Sequence, residues 1–336
     1  MLTLIVPGLV WPRQALTDLC FDLSLPALGT LLGRGRTTRR AGSTAMGEVA
    51  AGTDLKRPLP AAALRRLSAG RAPDGATWIA LDPVHLKFAE RTVVVGDPLE
   101  LGLDAGEAEE LARTLAPLFA GLGELDVLAP PCWNLRTREA APDFPDLVEA
   151  VGRAARPLPA ERAYAPWRHA LNEAQIALHA HPVNQARAAT GRPTVNSLWP
   201  WGKGALPASA MLAHDILLAD DPLATGIGRL AGIATATVPE RFSPDVGNRP
   251  LAVVESLAGP ARRGDGLAWR DALAGFEANW ASPIRDALRS RRLDALRVVG
   301  PGEDVTIELT VTRRDLWKLW RPARPFHHAF AADAPP

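Results

Sequence analysis

The residues of this chain that are best suited to chemistry are concentrated in the segment 173–204. It contains imidazoles at His179 and His181, side-chain amides at Asn184 and Asn196, and a lysine between two glycines. An imidazole can transfer a proton near neutral pH, while amides, ammonium groups and glycine-rich backbone can hold an anion. We therefore predict a polar binding site in this segment. Its further members are Trp199, Trp201, Gly202, Lys203 and Gly204.

The spacing of the two histidines limits what they can do together. The apolar periodicity over 169–180 predicts a helix, and helical residues that are two apart point about 200° away from each other. His179 and His181 could converge on one ligand if Pro182 ends the helix, since an interior proline removes a backbone donor. The alternative is that one of them belongs to an internal polar network.

A second candidate pair is Asp82 and His85. The apolar run Trp78–Leu81 predicts a strand, and aspartate before Pro83 favours an extended or turn backbone. Both side chains are therefore expected on a loop at the end of that strand. There they could act as acid and base or bind a metal ion, and a hydrogen bond that only fixes the loop explains the same pair.

The remaining candidates also have two interpretations each. Asn184 and Asn196 could orient a carbonyl or a phosphate, or they could cap turns. Gly202–Gly204 is predicted to be the turn after a strand over 194–201. Successive backbone N–H groups of that turn could form an anion nest, while its glycines could equally serve close packing. The two tryptophans of this strand could stack on a ligand or pack in the core.

The composition excludes several classes of protein. The 336 residues are 47% hydrophobic and 22% charged, and the formal net charge of +1 gives no global field toward nucleic acid or an anionic membrane. Cys20 and Cys132 make no disulfide framework, and the N-terminal segment lacks the basic region of a signal peptide, so a cytoplasmic location is expected. No apolar run approaches the length of about 20 residues that spans a membrane. The basic run Arg34–Arg40 is predicted to be a solvated loop.

Strands alternate with helices along the chain, which favours an α/β fold. The apolar run Leu2–Val6 predicts a first buried parallel strand, 105–120 an amphipathic helix and Trp269–Leu293 a long helix. Alternating apolar residues over 305–311 predict a half-exposed antiparallel edge pair, and 314–320 a helical tail. We therefore predict a mostly parallel sheet sandwiched by helices, with an antiparallel C-terminal addition.

The length allows one large domain or two modest ones. We expect a single α/β domain over 1–330, with a possible small insertion at about 33–75. Residues 331–336 are expected to be a disordered tail, because they are small, polar or proline.

Several motifs resemble known families. The segment Asp221–Ile233 (DPLATGIGRLAGI) resembles a stretch of the archaeal-type, cofactor-independent phosphoglycerate mutases. Other motifs together resemble the bacterial RpfE-type regulatory proteins over about the whole chain: DPVHL at 82–86, LHAHPVN at 178–184, VNSLWPWGKG at 195–204 and DLWKLWRP at 315–322. The mutase resemblance implies an alkaline-phosphatase-like fold and a two-metal site for phosphoryl transfer.

This sequence departs from the mutase pattern at the metal ligands that the resemblance implies. The first strand ends in Val6-Pro7-Gly8, where the mutases have an Asp-Gly step. The segment 257–265 (LAGPARRGD) stands where they carry a loop rich in Asp and His, and Asp265 is its one carboxylate. A paired-metal centre needs several oxygen and imidazole ligands. Arg262 and Arg263 could instead neutralise a phosphate directly, so no metal cofactor is expected.

These observations favour a phosphoglycerate-mutase-like regulatory protein that binds a small phosphorylated or anionic metabolite. One alternative is an active mutase or phosphatase with a relocated divalent-metal site built from Asp82, His85, His179 and His181. Another is a protein-interaction module whose tryptophans form a docking patch. Neither nucleic acid nor a membrane is expected as a partner, and the sequence names no protein partner.

Overall fold

Short apolar runs and capped amphipathic segments divide this chain into strands and helices. The computed structural model describes residues 1–71, 74–89 and 92–332. Its strands are β1 (Leu2–Ile5), β2 (Trp11–Pro12), β3 (Arg36–Ala41), β4 (Trp78–Val84), β5 (Leu86–Ala89), β6 (Thr92–Val95), β7 (Gly123–Ala129), β8 (Cys132–Thr137), β9 (Ser197–Gly204), β10 (Ile216–Leu218), β11 (Ala234–Ala236), β12 (Pro250–Val253), β13 (Ala295–Gly300), β14 (Val305–Thr312) and β15 (Ala331–Ala332). Its α-helices are α1 (Arg13–Cys20), α2 (Pro26–Arg34), α3 (Ala45–Ala51), α4 (Ala61–Ser68), α5 (Ala105–Phe119), α6 (Leu147–Ala150), α7 (Ala165–His179), α8 (Pro182–Ala189), α9 (Pro222–Leu230), α10 (Ala258–Arg263), α11 (Gly266–Phe276), α12 (Ser282–Arg289) and α13 (Phe326–Phe330).

The contacts among the described residues group the chain into two compact units. Unit one consists of Met1–Leu55 and Ser209–Pro336, and unit two of Lys56–Ala208. The expectation of a single domain with a possible small insertion at about 33–75 stays a prediction; unit two shares only 56–75 with that range. Within the expected tail, Ala331–Ala332 form β15, which pairs with β2, and 333–336 lie outside the described residues.

Unit one contains the central sheet. Among the described residues it has seven strands in the order β11-β10-β12-β1-β13-β14-β3. The strands from β11 to β13 are parallel, and β14 and β3 add to them in antiparallel orientation. All residues of β1 and β12 are buried, as is typical of parallel strands that are covered on both faces. The prediction of a mostly parallel sheet with an antiparallel C-terminal addition is confirmed.

The basic run of unit one is not a solvated loop. Its residues Arg36–Ala41 form β3, which pairs with β14 and leaves Arg36, Arg39 and Arg40 exposed at the sheet edge. Charged side chains on an edge strand oppose pairing with another chain, so arginine is compatible with a strand at this position. Because β3 covers β14, Val305–Thr312 is an inner strand, and the prediction that it belongs to an edge pair was wrong.

The predicted helix Trp269–Leu293 is interrupted. α11 ends at Phe276, a π-helical turn spans Glu277–Ala281, and α12 begins at Ser282 with Pro283 in its first turn. Pro283 has no backbone N–H, so the regular helical ladder cannot pass through it. The predicted helical tail at 314–320 is a single 3₁₀ turn, Asp315–Trp317.

Unit two is built on an antiparallel sheet. Within the part of the chain that is described, its strand order is β7-β8-β4-β9. Ile79 and Leu81 belong to an apolar core that also contains residues of α5 and α7. Because side chains alternate along a strand, Ala80 and Asp82 point to the opposite face of the sheet. Helix α4 contacts both β4 and β9.

Two local predictions for unit two were wrong. Asp82 lies inside β4, opposite Trp199 of β9, and not on a loop. The ladder between β4 and β8 covers only Trp78–Ala80, so Pro83 lies where β4 has a single neighbour and its missing donor is tolerated. Gly202–Gly204 is not a turn, because β9 continues to Gly204, which pairs with Trp78. None of the described helices is both long and apolar enough to cross a membrane.

Cys20 and Cys132 differ in burial, so their thiols should react at different rates. Cys20 is buried and Cys132 is half-buried, and burial raises the pKa of the Cys20 thiol to about 11. At pH 8 its thiolate fraction is then about a thousandth. We expect an Ellman titration of the folded protein to show no rapid reaction at Cys20, with its full reaction appearing in denaturant.

The same shift predicts a pH dependence of stability. The folded state favours the neutral Cys20 thiol over the thiolate. The contribution of this thiol to the free energy of unfolding is therefore fully present below the unfolded pKa near 9, and it is lost as the pH rises toward 11. Cys20→Ser should remove this slope from urea midpoints measured between pH 8 and 11. Rapid alkylation of Cys20 in the native protein at pH 8 would contradict the burial argument.

Candidate functional site

Asp82 is the centre of a buried polar cluster in unit two. The residue is 2% exposed, and its side chain forms a bidentate ion pair with Arg65 of α4 at 2.7 and 2.8 Å. The backbone N–H of Trp133 donates to Oδ1 at 3.0 Å, and the Trp201 indole donates to Oδ2 at 2.7 Å. Internal donors therefore occupy both carboxylate oxygens, which fixes Asp82 as an acceptor within the fold.

The glycines of β9 allow α4 to approach this cluster. Gly202 has φ +57° and a Cβ there would collide with the side chain of Ala61. Gly204 has φ +152°, and a Cβ would lie 2.8 Å from Cβ of Pro60. Both conformations are rare for residues with a side chain. The packing interpretation of these glycines therefore accounts for their positions.

Asn196 and His85 fix the segment that follows β4. The Asn196 amide makes a closed pair with the backbone of Leu86, accepting from its N–H at 2.7 Å and donating to its carbonyl at 2.9 Å. The Nδ1 of His85 lies 2.7 Å from the carbonyl oxygen of Thr194. A carbonyl can only accept, so Nδ1 carries the proton and donates. These contacts hold the chain around Thr194 against the exit of β4.

His181 caps a helix. The side chain is buried, and its Nδ1 accepts from the N–H of Val183 in the first turn of α8 at 3.2 Å. Its Nε2 lies 3.0 Å from Oγ1 of Thr114 on α5. Since Nδ1 accepts, Nε2 carries the proton of the neutral ring and donates to Thr114. His179 is exposed at the end of α7, and Pro182 separates the two helices as its position predicts.

The side chain of Asn184 connects three chain segments by hydrogen bonds. Its Nδ2 donates to the carbonyl oxygens of Leu178 and Val195 at 2.7 and 2.6 Å, and its Oδ1 accepts from the N–H of Val195 at 2.9 Å. The residue is buried. The end of α7, the start of α8 and the chain before β9 are thereby joined, so this amide serves the fold.

Lys203 and Trp199 hold a segment along β9. The ammonium of Lys203 donates to the Ala141 carbonyl at 2.5 Å and lies 2.9 Å from Oδ1 of Asp143. The Trp199 indole donates to the Pro145 carbonyl at 3.0 Å. The segment 141–145 is therefore attached to β9, the last strand of this sheet.

A small cleft lies beside helix α4. Its cavity volume is about 20 Å³, room for a water molecule rather than a metabolite. The Arg66 guanidinium lies 3.4 Å from the ring centroid of Trp78 and is ion-paired with Asp126. Hydrogen bonding from the Trp78 indole holds the pKa of Asp74 below its usual range. The cleft is lined by Ala63, Arg66, Arg71, Asp74, Gly75, Ala76, Trp78 and Leu206.

Unit one offers a second region, the edge where its parallel strands end. Open α/β sheets bind ligands at this edge. Gly8 follows β1 with φ +88°, and a Cβ there would lie 2.6 Å from the Leu257 carbonyl oxygen, so the backbone of Gly8 packs directly against the backbone at the start of α10. The Trp269 indole donates to the Gly8 carbonyl at 2.7 Å. Arg262 and Arg263 are exposed in the last turn of α10, the helix that follows β12.

The carboxylates at this edge act as caps. Asp220 accepts from the N–H of Val238 at 3.1 Å, and Asp221 accepts from backbone N–H groups in the first turn of α9 at 2.7 and 2.9 Å. Asp265 caps α11 by accepting from Ala268 at 3.0 Å. No group of three or more His, Cys, Asp or Glu side chains in the described residues could hold a metal ion.

The predicted site residues fall into separate local groups. Asp82 and Trp201 share one cluster, and Lys203 and Trp199 share another. His85, His181, Asn184 and Asn196 each have other partners within unit two. Arg262 and Arg263 belong to unit one. Sequence reasoning missed Arg65, although a charged residue among the apolar positions of α4 is the signal that a buried partner exists.

Similar folds occur among solved structures. The cofactor-independent phosphoglycerate mutase from Thermoplasma acidophilum DSM 1728 is similar with a TM-score of 0.50 and 17% identity, over 98% of this chain and 94% of that chain. The PH0037 protein from Pyrococcus horikoshii is similar with a TM-score of 0.54 and 13% identity, over 97% of this chain and 91% of that one. No protein-family profile matches the sequence. The search of curated proteins also found no match.

At these identities the similarity concerns the fold. It confirms a mixed α/β architecture with a mostly parallel sheet flanked by helices, a fold similar to that of these two proteins. The likeness in fold to a cofactor-independent phosphoglycerate mutase agrees with the resemblance of the segment Asp221–Ile233. The finer resemblance to RpfE-type regulatory proteins stays a prediction.

Proposed function

We propose that this chain is a phosphoglycerate-mutase-like protein that binds a small phosphorylated or anionic metabolite without a metal centre, in a regulatory role. The observation that carries the proposal is the pair of exposed arginines, Arg262 and Arg263, in the helix that follows a central parallel strand. Guanidinium groups bind phosphate oxygens with charge-assisted hydrogen bonds. The regulatory role rests on the sequence resemblance alone.

The position of these arginines supports an anion site. Arg263 folds back over the first turn of α10, because a Cβ added to Gly259 would lie 3.2 Å from its Nη1. Val254 and Leu257, between β12 and α10, are buried and apolar. A phosphate held here would therefore meet two guanidinium groups beside the buried connection between β12 and α10.

The other predicted ligand-binding groups are less suited to a metabolite. The amides of Asn184 and Asn196 and the carboxylate of Asp82 already make several internal hydrogen bonds each. Recruiting any of them would break bonds that hold strands and helices together, at a cost of about 1–3 kcal/mol for each buried group left unsatisfied.

Ligand-dependent thermal stability tests the proposal. Inorganic phosphate, 2-phosphoglycerate and 3-phosphoglycerate should each be titrated in the presence of a chelator. Binding to the native state raises the free energy of unfolding, by about 2.7 kcal/mol at a hundredfold excess over Kd. We expect a concentration-dependent rise in Tm for at least one of these anions.

Matched variants locate the site. Arg262→Ala combined with Arg263→Ala should weaken binding at least about tenfold, because two charge-assisted contacts are lost. Arg289→Ala, which removes an exposed arginine from the last turn of α12, should leave binding unchanged. Mutase turnover with stoichiometric manganese that is lost in His179→Ala would overturn the proposal in favour of an active enzyme.

A further inference from the structure

The C-terminal region of unit one presents large apolar side chains to solvent. We call residues 313–324 (RRDLWKLWRPAR) the aromatic loop. The exposed fractions of Trp317, Leu319 and Trp320 are 70%, 68% and 77%. An indole normally lies mostly buried in a folded protein. Neighbouring apolar side chains that are exposed together mark interaction surfaces.

The aromatic loop is anchored at both ends. Leu316 and Phe326 are buried in the core of unit one. The Arg34 guanidinium donates to the Leu316 carbonyl at 2.6 Å, and the Arg324 N–H donates to the Gly29 carbonyl at 2.9 Å. A Cβ at Gly33 of α2 would collide with the Pro322 carbonyl, so glycine lets the loop backbone lie directly on the helix. The exposed side chains therefore extend from a fixed base.

Successive turns bring the exposed side chains together. The N–H of Lys318 donates to the Asp315 carbonyl at 3.0 Å, that of Leu319 to Trp317 at 2.7 Å and that of Arg321 to Lys318 at 2.9 Å. The chain reverses direction within a few residues instead of extending. Trp317, Leu319 and Trp320 therefore lie on one short, folded segment of backbone.

The same loop concentrates positive charge. Arg313, Arg314, Lys318, Arg321 and Arg324 are its basic residues, and Asp315 is its one acid, which gives 5 − 1 = +4 in twelve residues of a chain whose net charge is +1. Arg313 is ion-paired with Asp294, and Lys318 with Asp315. Arg314, Arg321 and Arg324 are exposed. The aromatic loop is therefore strongly basic although the net charge of the whole chain is close to zero.

We propose that the aromatic loop docks this protein on an anionic lipid bilayer as a peripheral contact. Tryptophan and leucine side chains enter the interfacial region of a bilayer, and basic residues around them are attracted to anionic headgroups. Leu319 favours a lipid surface over single-stranded nucleic acid, since an aliphatic side chain offers no face for base stacking. The whole-chain charge predicted no membrane partner because it averages over this loop.

Vesicle co-sedimentation tests the proposal with the full chain. We expect binding to phosphatidylcholine vesicles that contain phosphatidylglycerol, weakening as salt is added, and little binding to phosphatidylcholine alone. Trp317→Ala combined with Trp320→Ala should weaken partitioning at least about tenfold, since their apolar area no longer enters the bilayer. Arg321→Gln should weaken it about fivefold, the contribution of one cation near an anionic surface.

Control variants distinguish this loop from exposed apolar residues in general. Phe21→Ala and Met211→Ala remove side chains of unit one that are 78% and 71% exposed, and both should bind vesicles like the wild type. Circular dichroism should show the native fold for all variants, because every replaced side chain is exposed. Absence of wild-type binding to anionic vesicles would overturn the proposal. Equal binding to neutral vesicles, binding of an oligonucleotide but not of vesicles, or a dimer lost in the double variant would also overturn it.

Discussion

Asp82→Asn should lower the free energy of unfolding by about 3–5 kcal/mol, because it leaves the buried Arg65 guanidinium without its counter-charge. The substitution keeps the shape of the side chain. Arg65 side-chain exposure is 5% and that of Asp82 is 3%, so water cannot replace the lost partner. The amide nitrogen of asparagine would also face a donor, either the Trp133 N–H or the Trp201 indole. Urea unfolding followed by circular dichroism measures the effect.

An exposed ion pair of the same unit provides the control. Asp143 pairs with Lys203 while 80% of its side chain is exposed. Asp143→Asn should cost about 1 kcal/mol or less, because exposed pairs are screened by water. Replacing both buried partners, with Asp82→Leu and Arg65→Met, should recover part of the loss, since no charge is left unpaired. If Asp82→Asn lowers the free energy of unfolding no more than Asp143→Asn does, Asp82 is not the structural centre of the buried cluster.

Glu277→Ala should lower the free energy of unfolding by about 3–5 kcal/mol, because it removes two charge-assisted hydrogen bonds from a helix N-terminus. Glu277 lies in the π-helical turn and is 6% exposed. Its carboxylate oxygens accept from the N–H groups of Ala27 and Leu28 at 2.7 and 2.9 Å. These donors open α2, whose N-cap residue, Leu25, has no side-chain acceptor. Glu277 is therefore a cap supplied from a distant part of the chain.

A nearby acidic residue calibrates this prediction. Asp271 lies on α11 with its side chain exposed, and Asp271→Ala should change stability by no more than about 0.5 kcal/mol. The loss of stability in Glu277→Gln should lie between the losses in Asp271→Ala and Glu277→Ala. Its amide oxygen can accept one hydrogen bond, while its nitrogen opposes the other donor. A Glu277→Gln variant as stable as the wild type would contradict the capping role.

Because α2 also supports the aromatic loop through Gly29 and Gly33, loss of the Glu277 cap has a second consequence. We expect native-state hydrogen exchange of the first turns of α2 to accelerate in Glu277→Ala. For the amides of β1 and β12, the free energy of opening should stay close to the global free energy of unfolding of the variant. Those strands lie in the buried part of the parallel sheet.

Local patterns in the sequence predicted several of the regular elements. The helix at 105–120 is α5, where Asp104 and Glu107 form a reciprocal capping box, and the apolar run at the N-terminus is β1. Such elements are predictable because their hydrogen bonds and caps involve residues only a few positions apart. The order of these elements was sufficient to predict an α/β fold with a mostly parallel sheet.

The roles of the polar residues depended on partners far along the chain. Sequence spacing identified Asp82, His181 and Asn196 as chemically notable, and the structure gives each of them a structural partner: Arg65, Thr114 and the backbone of Leu86. Whether any ligand also uses these side chains stays a prediction.

The sequence by itself determined the types of the elements and their approximate order, because periodicity and capping act within a few turns of chain. The tertiary structure alone decided that Arg36–Ala41 is a strand, that Gly202–Gly204 continues β9 and that Glu277 caps α2. The reason is physical. A buried charge or an open strand edge must find a partner, but the identity of that partner is set by packing between segments that can be 250 residues apart, and such pairing leaves no periodic pattern in the sequence.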